Sequence, residues 1–220
     1  MGWLMRLGIF GGTFNPVHIG HLLLAECALE QCRLDRVLFV PSAVPPHKSA
    51  ADIAEADDRV EMLNLALLGH PAFEISRVEI DRGGVSYLFE TLLALRSEYP
   101  ASALYFLLGA DSLRDLPSWR EPGEICKLAV LAVAHRAGSP EPELDHLAAI
   151  ATEAQLEAMR RHQVEMPTIG ISSREIRQRV ARGASIRYRV PRAVEAYIHA
   201  HGLYLGERPT NAGATHVRHE

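Results

Sequence analysis

The chain has 220 residues and a formal charge of −4, with 48% hydrophobic and 23% charged residues. This composition is typical of a globular protein that buries one core, and the charge excludes a broad basic surface for a nucleic-acid polymer. No apolar run reaches the roughly 18 residues of a membrane span, and the N-terminus lacks the features of a signal peptide. We therefore expect a soluble, cytoplasmic protein with no membrane partner.

The elements predicted in the first two thirds of the chain alternate between short apolar strands and amphipathic helices. In chain order they are a strand at 6–10, a helix at 20–33, strands at 36–40 and 73–76 on either side of a helix at 57–68, a helix at 86–98, and strands at 103–109 and 128–134. Alternation of this kind predicts an α/β fold, a doubly wound parallel sheet with helices on both faces. Ligands of such sheets bind beyond the carboxyl ends of the strands.

The last third is predicted to be helical, with helices at 144–161, at 173–182 and at 191–201, the last of them opening with Pro191 as a first-turn residue. Residues 207–220 are polar and aperiodic, and we expect a disordered tail there. The segment 42–56 is a long loop with two prolines, which is typical of a mobile or functional element.

Three cysteines, Cys27, Cys32 and Cys126, form an odd set without metal-ligand spacing. We interpret them as small hydrophobic residues of the core rather than as a disulfide or a zinc site.

The most informative stretch is "LGIFGGTFNPVHIGHLLLAE", residues 7–26. Gly11 and Gly12 follow the first strand, where the absence of a Cβ lets backbone N–H groups approach a ligand. His18 and His21 are three residues apart on an opening helix, so both imidazoles can face one volume at the positive end of the helix dipole. Either feature alone is more typical of a turn or of packing, and neither dinucleotide nor Walker glycine motifs are present. Together they predict a site for an oxyanion.

"GGTFNPVHIGHL" resembles the signature of the nucleotidylyltransferase superfamily, with its H-x-G-H motif. The segments "PSAVPPHK", "SYLFETL", "LGADSLRDLPSW" and "ISSREIR" through "AHGLY" follow in an order that resembles the bacterial nicotinate-nucleotide adenylyltransferase family across residues 6–205. The resemblance implies a Rossmann-like fold in one domain, 1–206. It also implies transfer of the adenylyl group of ATP to nicotinate mononucleotide, giving nicotinate adenine dinucleotide (deamido-NAD) and pyrophosphate in NAD biosynthesis.

The residue types fit adenylyl transfer, in which the attacking phosphate is already charged and catalysis needs positioning and charge stabilisation. No nucleophile motif or metal-ligand cluster stands out, whereas hydrogen-bond donors are plentiful. The resemblance assigns catalytic roles to His18, His21, Lys48 and Arg177. It assigns ATP binding to these four residues together with Gly11, Gly12, Thr13, Phe14, Ile171, Ser172 and Ser173.

Binding of the nicotinate nucleotide is assigned to Thr13, Asn15, Lys48, Tyr87, Leu88, Thr91, Gly109, Asp111, Trp119 and Arg136. Tyr87 and Trp119 offer flat faces for the pyridine ring, although core packing would explain them equally well. Lys48 could be a solvated loop lysine, and "SSREIR" an ordinary helix cap with surface arginines. Three positions depart from the family pattern: Asn15 replaces an aspartate, and Leu88 and Glu90 replace a threonine and an aspartate.

Mg²⁺ is the expected cofactor, bound through the phosphates of ATP and water rather than by protein side chains. The sequence leaves the oligomeric state open, a homo-oligomer included. Phosphopantetheine adenylyltransferase shares the H-x-G-H motif, but its chain is usually shorter and lacks "GADSLRDLPSW". A class I tRNA synthetase would need a longer chain with a second, lysine-rich motif. A regulator that binds nucleotide without turnover is the alternative from a different class.

Overall fold

A parallel sheet forms the centre of the protein. The computed structural model describes residues 4–44 and 53–205. The strands are β1 (Met5–Gly12), β2 (Arg36–Pro41), β3 (Phe73–Ile75), β4 (Ser102–Gly109), β5 (Val130–Arg136) and β6 (Gln163–Met166). All neighbouring strands pair in parallel, in the order β3-β2-β1-β4-β5-β6.

Helices connect the strands and complete the C-terminal part. They are α1 (Ile19–Gln31), α2 (Ala56–Leu67), α3 (Val78–Arg82), α4 (Leu88–Glu98), α5 (Ala110–Asp115), α6 (Pro122–Leu128), α7 (Glu153–Arg161), α8 (Ser173–Ala181) and α9 (Arg192–Ala200). Two short 3₁₀ turns cover Leu116–Ser118 and Asp145–Leu147.

The strand order creates a topological switch point between β1 and β4. The chain leaves β1 toward β2 and leaves β4 toward β5, so the two connections diverge and open a crevice at the carboxyl ends of these strands. The expected doubly wound parallel sheet is therefore confirmed, and the residues that follow β1 and β4 line the crevice.

Each face of the sheet buries its own apolar core, because successive side chains of a strand point to opposite faces. Phe10 and Phe39 belong to the core under α1, α2, α8 and α9. Leu7 and Leu104 belong to the core under α4, α5, α6 and α7. This two-sided burial explains why the strands appear in the sequence as nearly continuous apolar runs.

The predicted helix at 144–161 is confirmed over its second half and wrong over its first, since α7 begins only at Glu153 after a short 3₁₀ turn. Thr152 starts the helix with a capping box: its hydroxyl accepts from the Gln155 N–H at 3.4 Å, and the Gln155 side chain accepts from the Thr152 N–H at 2.8 Å. The apolar residues keep a helical spacing across Thr152, so the sequence pattern gives no sign of a helix start there.

Other boundaries also differ from the sequence predictions. Strand β5 begins at Val130 rather than at 128, because α6 reaches Leu128. Pro191 is the residue before α9 rather than part of its first turn. Strand β6 was not predicted, since only its Val164 is buried.

Gln31, at the end of α1, pairs with the backbone of β6. Its side-chain amide donates to the carbonyl of Glu165 at 2.7 Å, and its side-chain oxygen accepts from the Glu165 N–H at 2.9 Å. One side chain thus satisfies both polar groups of a residue on an edge strand.

All three cysteines are free, and Cys32 and Cys126 are buried as expected, whereas Cys27 is half-buried. Burial raises the pKa of the Cys32 and Cys126 thiols to about 11. Among the residues that the structure describes, no helix has the length and apolar character to cross a membrane. The expected tail at 207–220 lies outside the described residues.

Candidate active site

The turn after β1 is packed tightly against aromatic rings. A Cβ on Gly12 would lie 3.1 to 3.3 Å from the ring atoms of Phe14, closer than ordinary van der Waals contact. Phe14 is buried with a φ of 48°, and its ring centroid lies 5.4 Å from that of Phe10 and 5.2 Å from that of His21. Phe14 therefore anchors the turn in the core, and a side chain at position 12 would displace it.

The two histidines stack at the start of α1. His18 is the residue before the helix, and its backbone N–H donates to Nδ1 of His21 at 3.1 Å. The ring centroids are 3.6 Å apart with an angle of 23° between the planes, so both imidazoles occupy one face, as the spacing predicted. Because Nδ1 of His21 accepts a hydrogen bond, the neutral ring carries its hydrogen on Nε2. His21 is thereby set as a donor through Nε2.

His18 is 7% exposed, and its burial lowers its pKa to about 4. Its Nδ1 atom is buried and has no hydrogen-bond partner within 4–44 and 53–205. A Cβ on Gly20 would lie 3.1 Å from this Nδ1 atom, so the glycine of the H-x-G-H motif leaves room for the ring. At neutral pH His18 is therefore an uncharged imidazole with unused hydrogen-bonding capacity.

The N-terminus of α8 docks onto the same turn. Ser172 caps the helix, its hydroxyl accepting from the Glu175 N–H at 3.1 Å. The Ser173 hydroxyl donates to the carbonyl of Pro16 at 2.9 Å, and Nη1 of Arg177 donates to the carbonyl of Asn15 at 2.9 Å. The structure thus brings "ISSREIR" to the turn after β1, although 162 residues separate Asn15 from Arg177.

Asn15 is itself buried and bonded within the protein. Its Oδ1 atom accepts from the Tyr204 hydroxyl at 2.8 Å and from the Ala54 N–H at 3.1 Å. Burial raises the pKa of Tyr204 above its ordinary value, so this hydroxyl stays a donor. The amide at position 15 therefore ties the C-terminal segment and the end of the 42–56 loop to the turn.

Arg59 of α2 is a site residue that the sequence analysis missed. It is 1% exposed, and Nη1 donates to the carbonyls of Thr13 at 3.0 Å and Ser42 at 2.8 Å. Nε donates to the carbonyl of Ala54 at 3.0 Å. Its burial lowers the pKa of the guanidinium from the ordinary value. The only sequence signal was an arginine at an apolar position of an amphipathic helix.

A cleft of about 480 Å³ opens beside the turn at the carboxyl ends of β1, β2 and β4. Its lining residues are Gly11, Gly12, Thr13, Ser42, Glu79, Ser86, Tyr87, Leu88, Phe106, Ser118, Trp119, Arg120 and Ile125. Trp119 meets Phe106 edge to face, with ring centroids 6.3 Å apart. The cleft therefore unites the predicted glycines, Thr13, Tyr87, Leu88 and Trp119.

Arg120 and Glu90 form a charged rim at this cleft. The Arg120 guanidinium lies 4.7 Å from the centroid of the Tyr87 ring and pairs with Glu90 at 3.0 Å. Glu90 also lies 3.8 Å from Arg82. In the sequence Glu90 stands out only as a departure from the family pattern, and Arg120 is not predicted although it directly follows Trp119.

Several predicted residues lie apart from the cleft wall. Thr91 is 1% exposed, and its hydroxyl donates to Glu79 at 2.6 Å, so it supports a lining residue from behind. Gly109 ends β4, and Asp111 follows in the first turn of α5, exposed and paired with Arg114. Arg136 is exposed at the end of β5.

Ile171 packs against the core under α8, directly before the helix cap. Lys48 lies outside the described residues. Within the part of the chain that the structure describes, no group of three or more His, Cys, Asp or Glu side chains could hold a metal ion.

Comparison with known proteins gives a family assignment. A family model described as cytidylyltransferase-like matches residues 9–179. A curated protein of Thermomicrobium roseum named "Probable nicotinate-nucleotide adenylyltransferase" is 48% identical over 201 residues, which cover 91% of this chain and 92% of that protein. A Thermus thermophilus protein of the same name is 46% identical over 200 residues, which cover 91% of this chain and 100% of that protein.

Solved structures agree on the fold. Plasmodium falciparum nicotinic acid mononucleotide adenylyltransferase complexed with NaAD superposes with a TM-score of 0.71 at 18% identity, covering 91% of this chain and 97% of that chain. A second structure of that enzyme, complexed with APC, has a TM-score of 0.71 at 17% identity. From the family model and the two bacterial relatives, we conclude that this chain is cytidylyltransferase-like and belongs to the nicotinate-nucleotide adenylyltransferase family.

Proposed function

We propose that this protein transfers the adenylyl group of ATP to the phosphate of nicotinate mononucleotide, giving nicotinate adenine dinucleotide and pyrophosphate in NAD biosynthesis. The main support for the proposal is that one turn, the turn after β1, borders both the cleft and the histidine motif. Gly11, Gly12 and Thr13 line the cleft that holds Tyr87 and Trp119, and the same turn leads directly into the stacked imidazoles of α1. Two nucleotides bound on either side of this turn would meet at the end of β1.

The reaction is an in-line displacement at phosphorus. A phosphate oxygen of the mononucleotide attacks the α-phosphorus of ATP, the bond to the bridging α,β-oxygen breaks, and pyrophosphate leaves with the electron pair. The attacking oxygen is already anionic, so no general base is needed. The protein supplies position and charge stabilisation, which are the main sources of catalysis in phosphoryl-type transfers.

The two imidazoles are proposed to stabilise the charge that moves to pyrophosphate. His21 is set as an Nε2 donor by the hydrogen bond that its Nδ1 accepts from His18. His18 has an unused buried nitrogen, and its lowered pKa keeps the ring neutral. A neutral donor such as His18 favours the leaving group without binding ATP as tightly as a fixed cation would.

The β- and γ-phosphates are proposed to bind at the N-terminus of α8, where helix N–H groups and the positive dipole end favour anions. Ser173 and Arg177 already bind carbonyls of the turn there, and Ser172 caps the helix. We assign Lys48 to the same phosphates, together with Ile171 and Phe14 as apolar neighbours of ATP.

The mononucleotide is proposed to bind in the cleft. Tyr87 and Trp119 form its aromatic walls, and the backbone N–H groups at the start of α4, beside Leu88, face the pyridine carboxylate. Asp111 and Gly109 are assigned to the ribose, and Arg136 to a phosphate or carboxylate oxygen. Asn15 and Thr91 are assigned as supports, because their polar atoms already bind within the protein.

The nucleoside triphosphate enters as its Mg²⁺ complex, so the metal belongs to the substrate. Mg²⁺ prefers phosphate oxygens and water, and it offsets charge on the triphosphate. We further propose a cytoplasmic location and no nucleic-acid polymer as partner.

The role of His21 is tested by two substitutions. His21→Asn keeps an acceptor near the position of Nδ1 and removes the Nε2 donor, whereas His21→Ala removes both. We expect His21→Asn to fold with unchanged stability and to lose kcat by a hundredfold or more, about the effect of removing one preorganised oxyanion donor, with a much smaller change in ATP affinity. Steady-state pyrophosphate release checks this. Wild-type turnover in folded His21→Asn would contradict the assignment.

The neutral state of His18 is tested by stability against pH. Its pKa is about 4 in the folded protein and about 6.5 in an unfolded chain, so the unfolded chain binds more protons between these values. The stability due to the neutral ring is complete above about pH 6.5 and declines as the pH falls toward 4. The free energy of unfolding, measured with urea, should fall between pH 7 and pH 5 in the wild type. In His18→Gln we expect this fall to be smaller by about 2 kcal/mol.

The exposed His199→Gln is the matched control for this series, and it should retain the full decline of the wild type. Parallel curves for wild type and His18→Gln would show that His18 is not held neutral by burial.

The reaction itself is tested by pyrophosphate release with ATP and a panel of acceptors. Donors that face the pyridine carboxylate would be left unpaired by an amide, so we expect kcat/KM to favour nicotinate over nicotinamide mononucleotide by roughly a hundredfold. Equal rates would reject the preference for the carboxylate. Faster turnover of phosphopantetheine would move the chain to that specificity, and ATP binding without any turnover would indicate a regulator.

A further inference from the structure

Ser42 has a hydroxyl without a partner in the wall of the cleft. The residue directly follows β2, lines the cleft beside Gly12 and Thr13, and is 8% exposed. Its Oγ atom is buried and has no hydrogen-bond partner among the described residues. A buried hydroxyl left unpaired costs free energy, so such an atom at a binding cleft indicates a ligand group that completes it.

The backbone of Ser42 is fixed on both sides. Its N–H donates to the carbonyl of Gly12 at 2.9 Å, and its carbonyl accepts from Nη1 of Arg59 at 2.8 Å. These bonds leave the hydroxyl as the free polar group of the residue. Its position is therefore set before any ligand arrives, which reduces the ordering cost of binding.

The surroundings favour a negatively charged partner for this hydroxyl. Arg59 places a buried positive charge directly behind the Ser42 carbonyl, and within the described ranges its hydrogen bonds go to carbonyls rather than to a carboxylate. Glu79, the carboxylate among the lining residues, already accepts from the Thr91 hydroxyl at 2.6 Å. The Ser86 hydroxyl accepts from the Ala43 N–H at 2.9 Å. Ser42 is thus a donor at this end of the cleft, and it differs from Ser86 in that its buried Oγ atom has no partner within the described residues.

We propose that the Ser42 hydroxyl donates a hydrogen bond to an anionic oxygen of the acceptor nucleotide, either its phosphate or its pyridine carboxylate. This inference rests on the proposed function, because it names a residue that would bind the second substrate. Ser42 is a binding residue for the acceptor and has no role toward ATP.

Ser42→Ala separates this role from a structural one. Because Oγ has no partner in the protein, its removal should leave the stability of the free protein unchanged or slightly raised. The KM for nicotinate mononucleotide should rise about tenfold or more, since a hydrogen bond to a charged group is lost, while the KM for ATP stays the same. Ser97→Ala, on the exposed face of α4 with its hydroxyl bonded to the Leu93 carbonyl, is the matched control and should change neither constant.

Two truncated ligands identify the oxygen by titration calorimetry with wild type and Ser42→Ala. Nicotinamide mononucleotide lacks the carboxylate, and nicotinate riboside lacks the phosphate. If the partner is the phosphate, Ser42→Ala weakens the binding of nicotinamide mononucleotide only. If it is the carboxylate, the variant weakens only the riboside.

Other outcomes would overturn the proposal. Equal weakening of both truncated ligands would indicate a ribose hydroxyl, and a loss of stability in the free variant would indicate a structural role. Unchanged binding of nicotinate mononucleotide to Ser42→Ala would remove the residue from the site while leaving the proposed function intact. Failure of the wild type to bind that nucleotide would overturn both.

Discussion

The buried guanidinium of Arg59 connects the parts of the molecule on which the site depends. It binds carbonyls of the turn after β1 and of the segment after β2, at Thr13 and Ser42, and a third carbonyl at Ala54. Burying a cation is costly unless hydrogen bonds replace its water, and each such bond to a charged group contributes roughly 1.5–3 kcal/mol. The carbonyls that stabilise Arg59 are thereby held in fixed positions. The turn and the neighbouring wall of the cleft are rigid for the same reason.

The C-terminal helices complete the site from the opposite direction. Ser173 and Arg177 bind carbonyls of the turn, and Tyr204 binds Asn15 within it. The Ile19 N–H at the start of α1 donates to the carbonyl of Arg189 at 2.9 Å. The histidine motif is therefore held by residues from both ends of the chain. In the proposed mode of binding a single turn contacts both substrates, so small displacements of it would affect binding and chemistry together.

The parts of the site that could be predicted from sequence are those set by local geometry. The spacing of His18 and His21 implies a shared face, and the stacked rings confirm it. The alternation of strands and helices predicts the parallel sheet, and the glycines mark the end of β1. A serine cap at 172 or 173 follows from the position of these residues before an amphipathic run, and in the structure the cap is Ser172.

The parts that could not be predicted depend on contacts between distant segments. Arg59 stands at an apolar position of α2, but the carbonyls that it binds come from other segments and cannot be read from the helix itself. Ser42 differs from other loop serines only because Gly12 and Arg59 use its backbone groups. The start of α7 was predicted wrongly for another reason, because the apolar period of the sequence continues through the cap at Thr152. The local spacing of residues predicts the helices, the strands and their buried faces. The partners of buried polar groups depend on which distant segments the fold brings together.

We propose that the protein acts by position and charge, with direct attack of one substrate on the other. The most direct test uses a single diastereomer of ATP that carries sulfur at the α-phosphorus, with nicotinate mononucleotide as acceptor. The configuration at phosphorus in the dinucleotide product is then read by ³¹P NMR. One in-line displacement predicts inversion. Retention would require two displacements through an adenylylated side chain and would contradict direct attack.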